Sequence, residues 1–392
     1  MKKNALLVLS LLLLLSCQSQ KIGEVVATEE NGLIIANTKS FKDTLEIKLT
    51  DFIENIELIQ LDSAIANYVS LEMSPYISDN YIIFSSPKSL LKMFDRKTGK
   101  FICNIGGVGN GNGEYRYTDD CFIDEQDKII YLAAKGSINK YDFEGKMLGS
   151  LPLAKNEESF MTIKFDINKK ANIITIIAQS KEIAMWKQDF EGNEIADIDV
   201  YKDETIGNAQ IIKNSNIGNM TISVSNLENK PDTLFKFDNN ENILKPAFAL
   251  NINHLPELEG YNGTCYARTY IESPSYYISS IVLIRMETNQ NGGIAFHMNM
   301  LDDGVIVDKE TLTGGYFKLF DDYLYTKKKK LFFREDYCVI GFDDPMLLLE
   351  RLESISDEEK ANMSSETAKR IDTFISTLNP EGNTVIMLGK LK

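Results

Sequence analysis

Four stretches decide how this chain folds: Leu91-Lys-Met-Phe-Asp95-Arg-Lys-Thr-Gly99-Lys, Ile138-Asn-Lys-Tyr-Asp142-Phe-Glu-Gly145-Lys, Met185-Trp-Lys-Gln-Asp189-Phe-Glu-Gly192-Asn and Leu234-Phe-Lys-Phe-Asp238-Asn-Asn-Glu-Asn242. Their aspartates stand 47, 47 and 49 residues apart. In each, an alternating run rich in aromatics ends at Asp, and a Gly or Asn follows. A second β-rich run comes next, at residues 101–105, 147–153, 195–200 and 243–250. That is hairpin chemistry: the short acid caps its own backbone, and the residue after it tolerates positive φ. Upstream lie two more short runs per unit, at 121–124 and 129–134, at 161–167 and 173–178, and at 209–213 and 220–224.

Four short strands in a repeat of this length are the signature of a propeller blade. One such sheet cannot bury both faces alone, so blades stack around an axis. A parallel α/β fold would need a helix in every repeat, and there is no room for one. The count reaches six. A divergent fifth blade runs from about Tyr266 through 277–284 and 294–300 to 305–307, and the sixth begins near Phe317 and 337–342. A helical pattern interrupts it over about 345–379. Leu347, Leu348, Leu349 and Leu352 form one stripe there, and Ser356-Asp-Glu-Glu reads as a capping box before a second amphipathic stretch. The last strand, 384–391, is expected to pair with residues 55–61 from the other end of the chain, which leaves no open edge in the ring. The fold class is therefore all-β: a six-bladed β-propeller with a helical insertion in its last blade.

Composition narrows the function. The 392 residues carry 42 basic and 57 acidic side chains, a net charge of -15, which argues against a nucleic-acid partner. His254 and His297 are the only histidines, so a multi-histidine metal site is excluded. Neither His is placed for a Ser-His-Asp arrangement, and no G-x-S-x-G elbow exists.

The N-terminus supplies an address. Lys2 and Lys3 precede an apolar run over 5–15, too short for a permanent span. It ends in Leu14-Leu15-Ser16-Cys17, which resembles a bacterial lipobox. The resemblance implies cleavage before Cys17 and lipidation of its thiol, with several acyl chains making a stable anchor. The division expected is a signal peptide over 1–16, a linker over 17–44 and the propeller over 45–392. Gln18-Ser19-Gln20-Lys21 lacks the Asp that retains lipoproteins at the inner membrane and lacks an acidic surface-export cluster. An outer-membrane lipoprotein facing the periplasm is the expectation.

The chain resembles the six-bladed β-propeller lipoproteins of Bacteroidota, related to NHL-repeat propellers. The likeness covers nearly all of 45–392. It rests on Asp51-Phe-Ile-Glu-Asn-Ile-Glu-Leu-Ile-Gln-Leu-Asp62, on Phe94-Asp-Arg-Lys-Thr-Gly-Lys-Phe-Ile-Cys-Asn-Ile-Gly-Gly107, on Gly109-Asn-Gly-Asn-Gly-Glu-Tyr115 and on Asn379-Pro380. Asn112 stands where the family usually has Pro. The resemblance implies the fold more firmly than any activity.

Several motifs compete for a functional role. Gly106-Gly-Val-Gly-Asn-Gly-Asn-Gly113 follows a strand but leads into another strand, so it reads as a blade-crossing loop and not as a nucleotide cradle. The acidic pairs Asp119-Asp120, Asp302-Asp303, Asp321-Asp322 and Asp343-Asp344 raise the question of Ca²⁺ in the central channel. No cofactor is expected, and solvated turns are the preferred reading of those pairs. Cys103, Cys121, Cys265 and Cys338 match no disulfide or zinc framework. Cys103 and Cys121 fall near adjacent strands, and buried free thiols are preferred over a pair. Lys88, Lys135, Lys181 and Lys230 precede the aligned aspartates by seven or eight residues. They suggest a partial ring of positive charge around the channel mouth, suited to an anionic ligand. Tyr115, Arg116 and Tyr117 are further candidate contacts. The function expected is a non-catalytic binding or scaffold module for a glycan, an anionic small molecule or an envelope protein. The alternative is a Ca²⁺-dependent hydrolase or lyase using the channel.

Overall fold

Side-chain alternation separates the inner from the outer strands of each repeat. Ile129–Ala134 is buried at all but its first residue, whereas Met147–Leu151 alternates until its buried end. A strand sandwiched between neighbouring blades needs apolar groups on both faces; a strand at the rim needs them on one. The structure, a computed structural model, describes residues 22–42, 44–62, 68–69, 74–85, 90–155, 160, 162–179, 183–200, 208–214, 219–225, 232–252, 264–288, 294–300, 304–326 and 330–392.

Blade one holds Tyr76–Ile77, Tyr81–Phe84, Leu91–Asp95 and Phe101–Ile105, from axis to rim. Blade two holds Asp120–Asp124, Ile129–Ala134, Ser137–Asp142 and Met147–Leu151. Blade three holds Thr162–Asn168, Ile173–Gln179, Ile183–Gln188 and Glu194–Ile198. Blade four holds Asn208–Asn214, Asn219–Ser225, Asp232–Asp238 and Ile243–Asn251. Apolar clusters fill every interface of the ring. Tyr76, Leu132 and Tyr141 lie between blades one and two, and Phe165 and Trp186 between two and three. Met185 and Phe237 join three to four, Phe248 and Tyr277 four to five, Ile306 and Met387 five to six, and Phe94 and Ile386 six to one.

The four aligned aspartates occupy equivalent corners, between third and fourth strands. A carboxylate oxygen accepts from Thr98 N at 2.7 Å for Asp95, Lys146 N at 2.8 Å for Asp142, Asn193 N at 2.7 Å for Asp189 and Asn240 N at 2.9 Å for Asp238. Asp308 forms a fifth such corner, accepting from Thr311 N at 2.7 Å. Its positive-φ residue is Leu312, at 58°, so neither Gly nor Asn marks it in the sequence. These hairpins press on the preceding blade. A Cβ on Gly145 would stand 1.9 Å from Asn104 O, and one on Gly99 2.1 Å from Gln60 O.

The ring closes as expected, with Val385–Leu391 paired antiparallel to Ile53–Gln60 from Val385↔Gln60 to Leu391↔Ile53. Blade six is thus Lys330–Arg334, Tyr337–Phe342, Val385–Leu391 and Ile53–Gln60. Between its second and third strands stand three helices, α1 (Pro345–Glu353), α2 (Asp357–Ala361) and α3 (Ser365–Thr377). The capping box forms: Ser356 Oγ accepts from Glu359 N at 3.2 Å, and Glu359 Oε2 accepts from Ser356 N at 2.9 Å.

Two expectations need correction. Blade five consists of Thr264–Glu272, Tyr276–Thr288, Gly304–Asp308 and Thr313–Phe320. Phe317 therefore belongs to blade five and does not open blade six. Tyr276–Thr288 is 13 residues long and outruns its neighbour; its far half pairs with Ile294–Met300 as an extra hairpin. The described part of the expected linker over 17–44 also carries strands, at Glu24–Val25, Ala27–Glu30 and Leu33–Asn37. Ala27–Glu30 and Leu33–Asn37 form a hairpin whose second strand runs parallel to the outer strand of blade four, from Ile34↔Phe248 to Asn37↔Asn251. Glu24–Val25 and Thr44–Lys48 both pair with Thr313–Phe320, the outer strand of blade five. Unpaired backbone at a sheet edge seeks a partner. Leu33-Ile-Ile-Ala-Asn37 supplies an alternating one, with Ile34 and Ala36 buried. The N-terminal segment is a belt over blades four, five and six.

Candidate functional site

Strand direction alternates within a blade, so the link from second to third strand and the crossing to the next blade leave from the same end. Lys135, in the second-to-third turn of blade two, shows this directly: its Nζ donates to Gly109 O in the crossing loop at 2.9 Å. Lys88, Lys181 and Lys230, the other members of the expected ring, lie outside the described residues.

The glycine loop closes on a carboxylate of its own. Gly107–Val108 pairs parallel with Glu114–Tyr115. Glu114 Oε2 accepts from Gly111 N at 2.7 Å, and a Cβ on Gly109 would meet that same oxygen at 2.1 Å. Glycines are needed here because backbone wraps closely around an internal anion. Tyr115 is 1% exposed. Its hydroxyl donates to Ile105 O at 2.5 Å and accepts from Leu91 N at 2.9 Å, and burial holds the phenol far above its usual range. This side chain is a strut beneath the loop, which corrects its reading as a ligand contact. Arg116 and Tyr117 are exposed beside it.

The acidic pairs are engaged by backbone more than by solvent. Asp119 Oδ2 accepts from Ile163 N at 3.3 Å and Asp120 Oδ2 from Phe165 N at 3.1 Å. Ile163 and Phe165 lie on the innermost strand of blade three, so the two acids of blade two cap its open inner edge. Burial pushes Asp119 up to about 6, against the opposing pull of Ile163 N–H and the Lys164 ammonium. On the neighbouring inner strand of blade one, Tyr76 has Arg334 4.3 Å from its ring centroid, and Arg334 donates to Ser74 O at 2.9 Å, joining blades six and one. Asp321 accepts from Tyr323 N, Leu324 N and Thr326 N and shapes the crossing from blade five to six. Asp322 accepts from Thr50 N at 3.0 Å, and Asp344 caps α1 through Leu347 N at 3.1 Å. Asp302 and Asp303 lie outside the described residues. Among the described residues, no three His, Cys, Asp or Glu side chains converge as a metal ion would require.

Burial makes the Cys103 thiol a poor nucleophile. Cys103 and Cys121 share the core between blades one and two, and burial pushes the Cys103 thiol up to about 11. Cys338 is buried in the core shared by blades five and six. His297 lies on the extra hairpin strand Ile294–Met300 of blade five, and His254 lies outside the described residues.

A cleft of about 690 Å³ opens where the helical insertion overhangs the crossing from blade five to blade six. Its walls come from three distant segments. The belt gives Lys48 and Thr50, the crossing gives Tyr323 and Tyr325, and the insertion gives Asn362 and Arg370. Arg370 lies 3.8 Å from the Tyr323 ring centroid and donates to Tyr323 O at 3.2 Å and Thr367 Oγ1 at 3.0 Å. Arg351 bridges Tyr325 O at 3.1 Å and Glu359 Oε1 at 2.7 Å. That guanidinium, with the capping box, holds the Glu359 carboxyl down at about 2. The cleft offers aromatic rings and mixed polar groups, among them Thr50 Oγ1 donating to Asp322 Oδ2 at 2.5 Å, a lining of the kind that fixes and orients a ligand. Sequence reading missed it. The helical pattern was legible, but nothing local placed Lys48 against residues more than 250 positions away.

Comparison with known proteins agrees with the fold. A Bacteroides fragilis protein named as an exported one is similar over 91% of this chain and 99% of its own, at 14% identity and a TM-score of 0.57. A Bacteroides vulgatus member of the DUF4221 family is similar over 87% and 97%, at 10% identity and a TM-score of 0.47. No curated protein matches the sequence. The family profile described as a domain of unknown function, DUF4934, matches residues 33–390, a span that takes in both the second strand of the belt hairpin and the closing strand. The chain belongs to that family.

Proposed function

We propose that this protein is a lipid-anchored, non-catalytic binding module of the cell envelope, and that its ligand or partner docks in the cleft between the helical insertion and the crossing from blade five to blade six. The observation that carries the reading is the composite wall of that cleft. A propeller needs no helices to close, yet three of them are held over this one crossing by Arg351 and Arg370. Lipid anchoring rests on Leu14-Leu15-Ser16-Cys17 and fits a neighbour named as exported. The outer membrane, facing the periplasm, is the location that the residues after Cys17 favour. Arg116 and Tyr117 add exposed polar and aromatic surface on the same face.

The test is capture from native envelope with the full-length lipoprotein, comparing the parent chain with Arg370→Ala and with Tyr117→Ala. The specific set of co-purifying molecules is expected to fall several-fold with the cleft variant. An identical set at unchanged yield from a folded Arg370→Ala protein overturns the assignment of the cleft.

A further inference from the structure

The belt fixes where the chain leaves the propeller on its way to Cys17. Ile22 already packs against the core shared by blades five and six. Glu24 and Val25 are paired with Gly314 and Thr313. Glu24 also meets Lys42 at 2.6 Å, and Val26 N donates to Leu312 O at 3.0 Å. The fastening thus begins at Ile22, on the outer strand of blade five. Between it and Cys17 lie only Gln18-Ser19-Gln20-Lys21. Fully extended, that tether reaches at most about 18 Å. A folded chain of this size is roughly 50 Å across. The tether is therefore too short to let the far side of the ring reach the lipid, and too short to let the molecule tumble freely on its anchor.

We infer that the propeller stands on edge on its bilayer, with the outer strand of blade five and the belt against the phospholipid surface and blade two farthest from it. The inference rests on the anchoring reading above. In a closed ring of six, blade two is opposite blade five. Val25, 64% exposed, is the first exposed large aliphatic side chain after the tether and faces the lipid. Leu148, on the outer strand of blade two and 52% exposed, faces away. The channel axis then runs along the membrane plane. The glycine loop and Lys135 are carried to the distal side, while the cleft of blades five and six opens close to the headgroups.

The experiment uses the full-length lipidated chain in vesicles of phosphatidylethanolamine and phosphatidylglycerol. A fluorophore is attached at Val25→Cys or at Leu148→Cys, with the unsubstituted chain as the labelling blank and a headgroup spin label as quencher. Quenching is expected to be several-fold stronger at position 25 than at 148. Inserting about 20 Gly/Ser residues between Gln20 and Lys21, a flexible spacer, is expected to erase that difference while the protein still floats with the vesicles. Equal quenching with the native tether, or stronger quenching at 148, overturns the edge-on placement and leaves the anchor intact. Failure to float at all overturns the anchoring reading, and the inference falls with it.

Discussion

Blades two and three are each made from one continuous stretch of chain, whereas blades five and six are assembled from pieces that lie far apart in sequence. Blade two needs only residues 120–151. Its corner is set by Asp142 and Gly145, and its outer edge stays open to solvent. Blade six takes three strands from the C-terminal part and one from Ile53–Gln60, and it carries α1 to α3 between two of them. Blade five borrows two belt segments and adds a hairpin of its own. Local hydrogen-bond and turn chemistry suffices to build a sheet of four strands. Ring closure and the cleft both come from long-range pairing, and the parts that do something new are the parts built that way.

Three perturbations would break or sharpen this contrast. Deleting residues 385–392 removes the third strand of blade six and the partner of Ile53–Gln60. Cooperative thermal unfolding is expected to vanish in calorimetry, because both the inter-blade core and two ladders are lost. A deletion variant that still melts in one sharp transition would show that the composite blades are dispensable. A smaller effect is expected from Gly145→Ala, at a positive φ of 84° with Asn104 O in the way: about 3 kcal/mol by urea titration. Gly32→Ala, at φ 81° with nothing within 4 Å, isolates the backbone conformation alone and is expected to cost about 1 kcal/mol. Equal losses would mean that the hairpin of blade two does not press on blade one.

A last effect, no larger, is electrostatic and has opposite signs in the two regions. Asp119, in blade two, has its folded pKa raised to about 6 by burial, so the folded state favours the protonated acid. That contribution is fully present below the unfolded value near 4 and is lost as pH rises through about 6. Asp119→Asn is expected to be more stable than the parent at pH 7.5 by about 1 kcal/mol, discounted for its partial exposure, and to lose that advantage at pH 4. Glu359, in the insertion, is held down at about 2 by Arg351. Its contribution is present above the unfolded value near 4 and disappears on acidification towards 2. Hydrogen exchange on a pH series is expected to show the insertion loosening first in acid. Uniform loosening of blades two and six would contradict the local origin of both shifts.

Legibility in the sequence follows the same divide. The aspartate corners of blades one to four, the capping box of α2 and the pairing of 384–391 with the N-terminal region were readable because each leaves a local signal: a turn residue, a spacing or an alternating run. Asp308 escaped because Leu312 takes the left-handed position without the usual Gly or Asn. The belt escaped because its three blade-edge strands are short, and Leu33–Asn37 acquires meaning only beside Phe248. Blade five was misdivided because Tyr276–Thr288 serves two partners at once. Tyr115 looked like a contact since aromatic and Arg neighbours imitate a binding patch; only the Ile105 and Leu91 backbone groups that it joins show otherwise.

The belt also sets the order in which this molecule can finish folding. Glu24 waits for Gly314, and Ile53 for Leu391. Two of the earliest strands to be made, Glu24–Val25 and Ile53–Gln60, therefore have no partner until most of the polypeptide has been synthesised. Contacts so distant in sequence make for a slow final step, and until it occurs Glu24–Val25 and Ile53–Gln60 are loose strands open to mispairing. Strands made first are among the last to be secured.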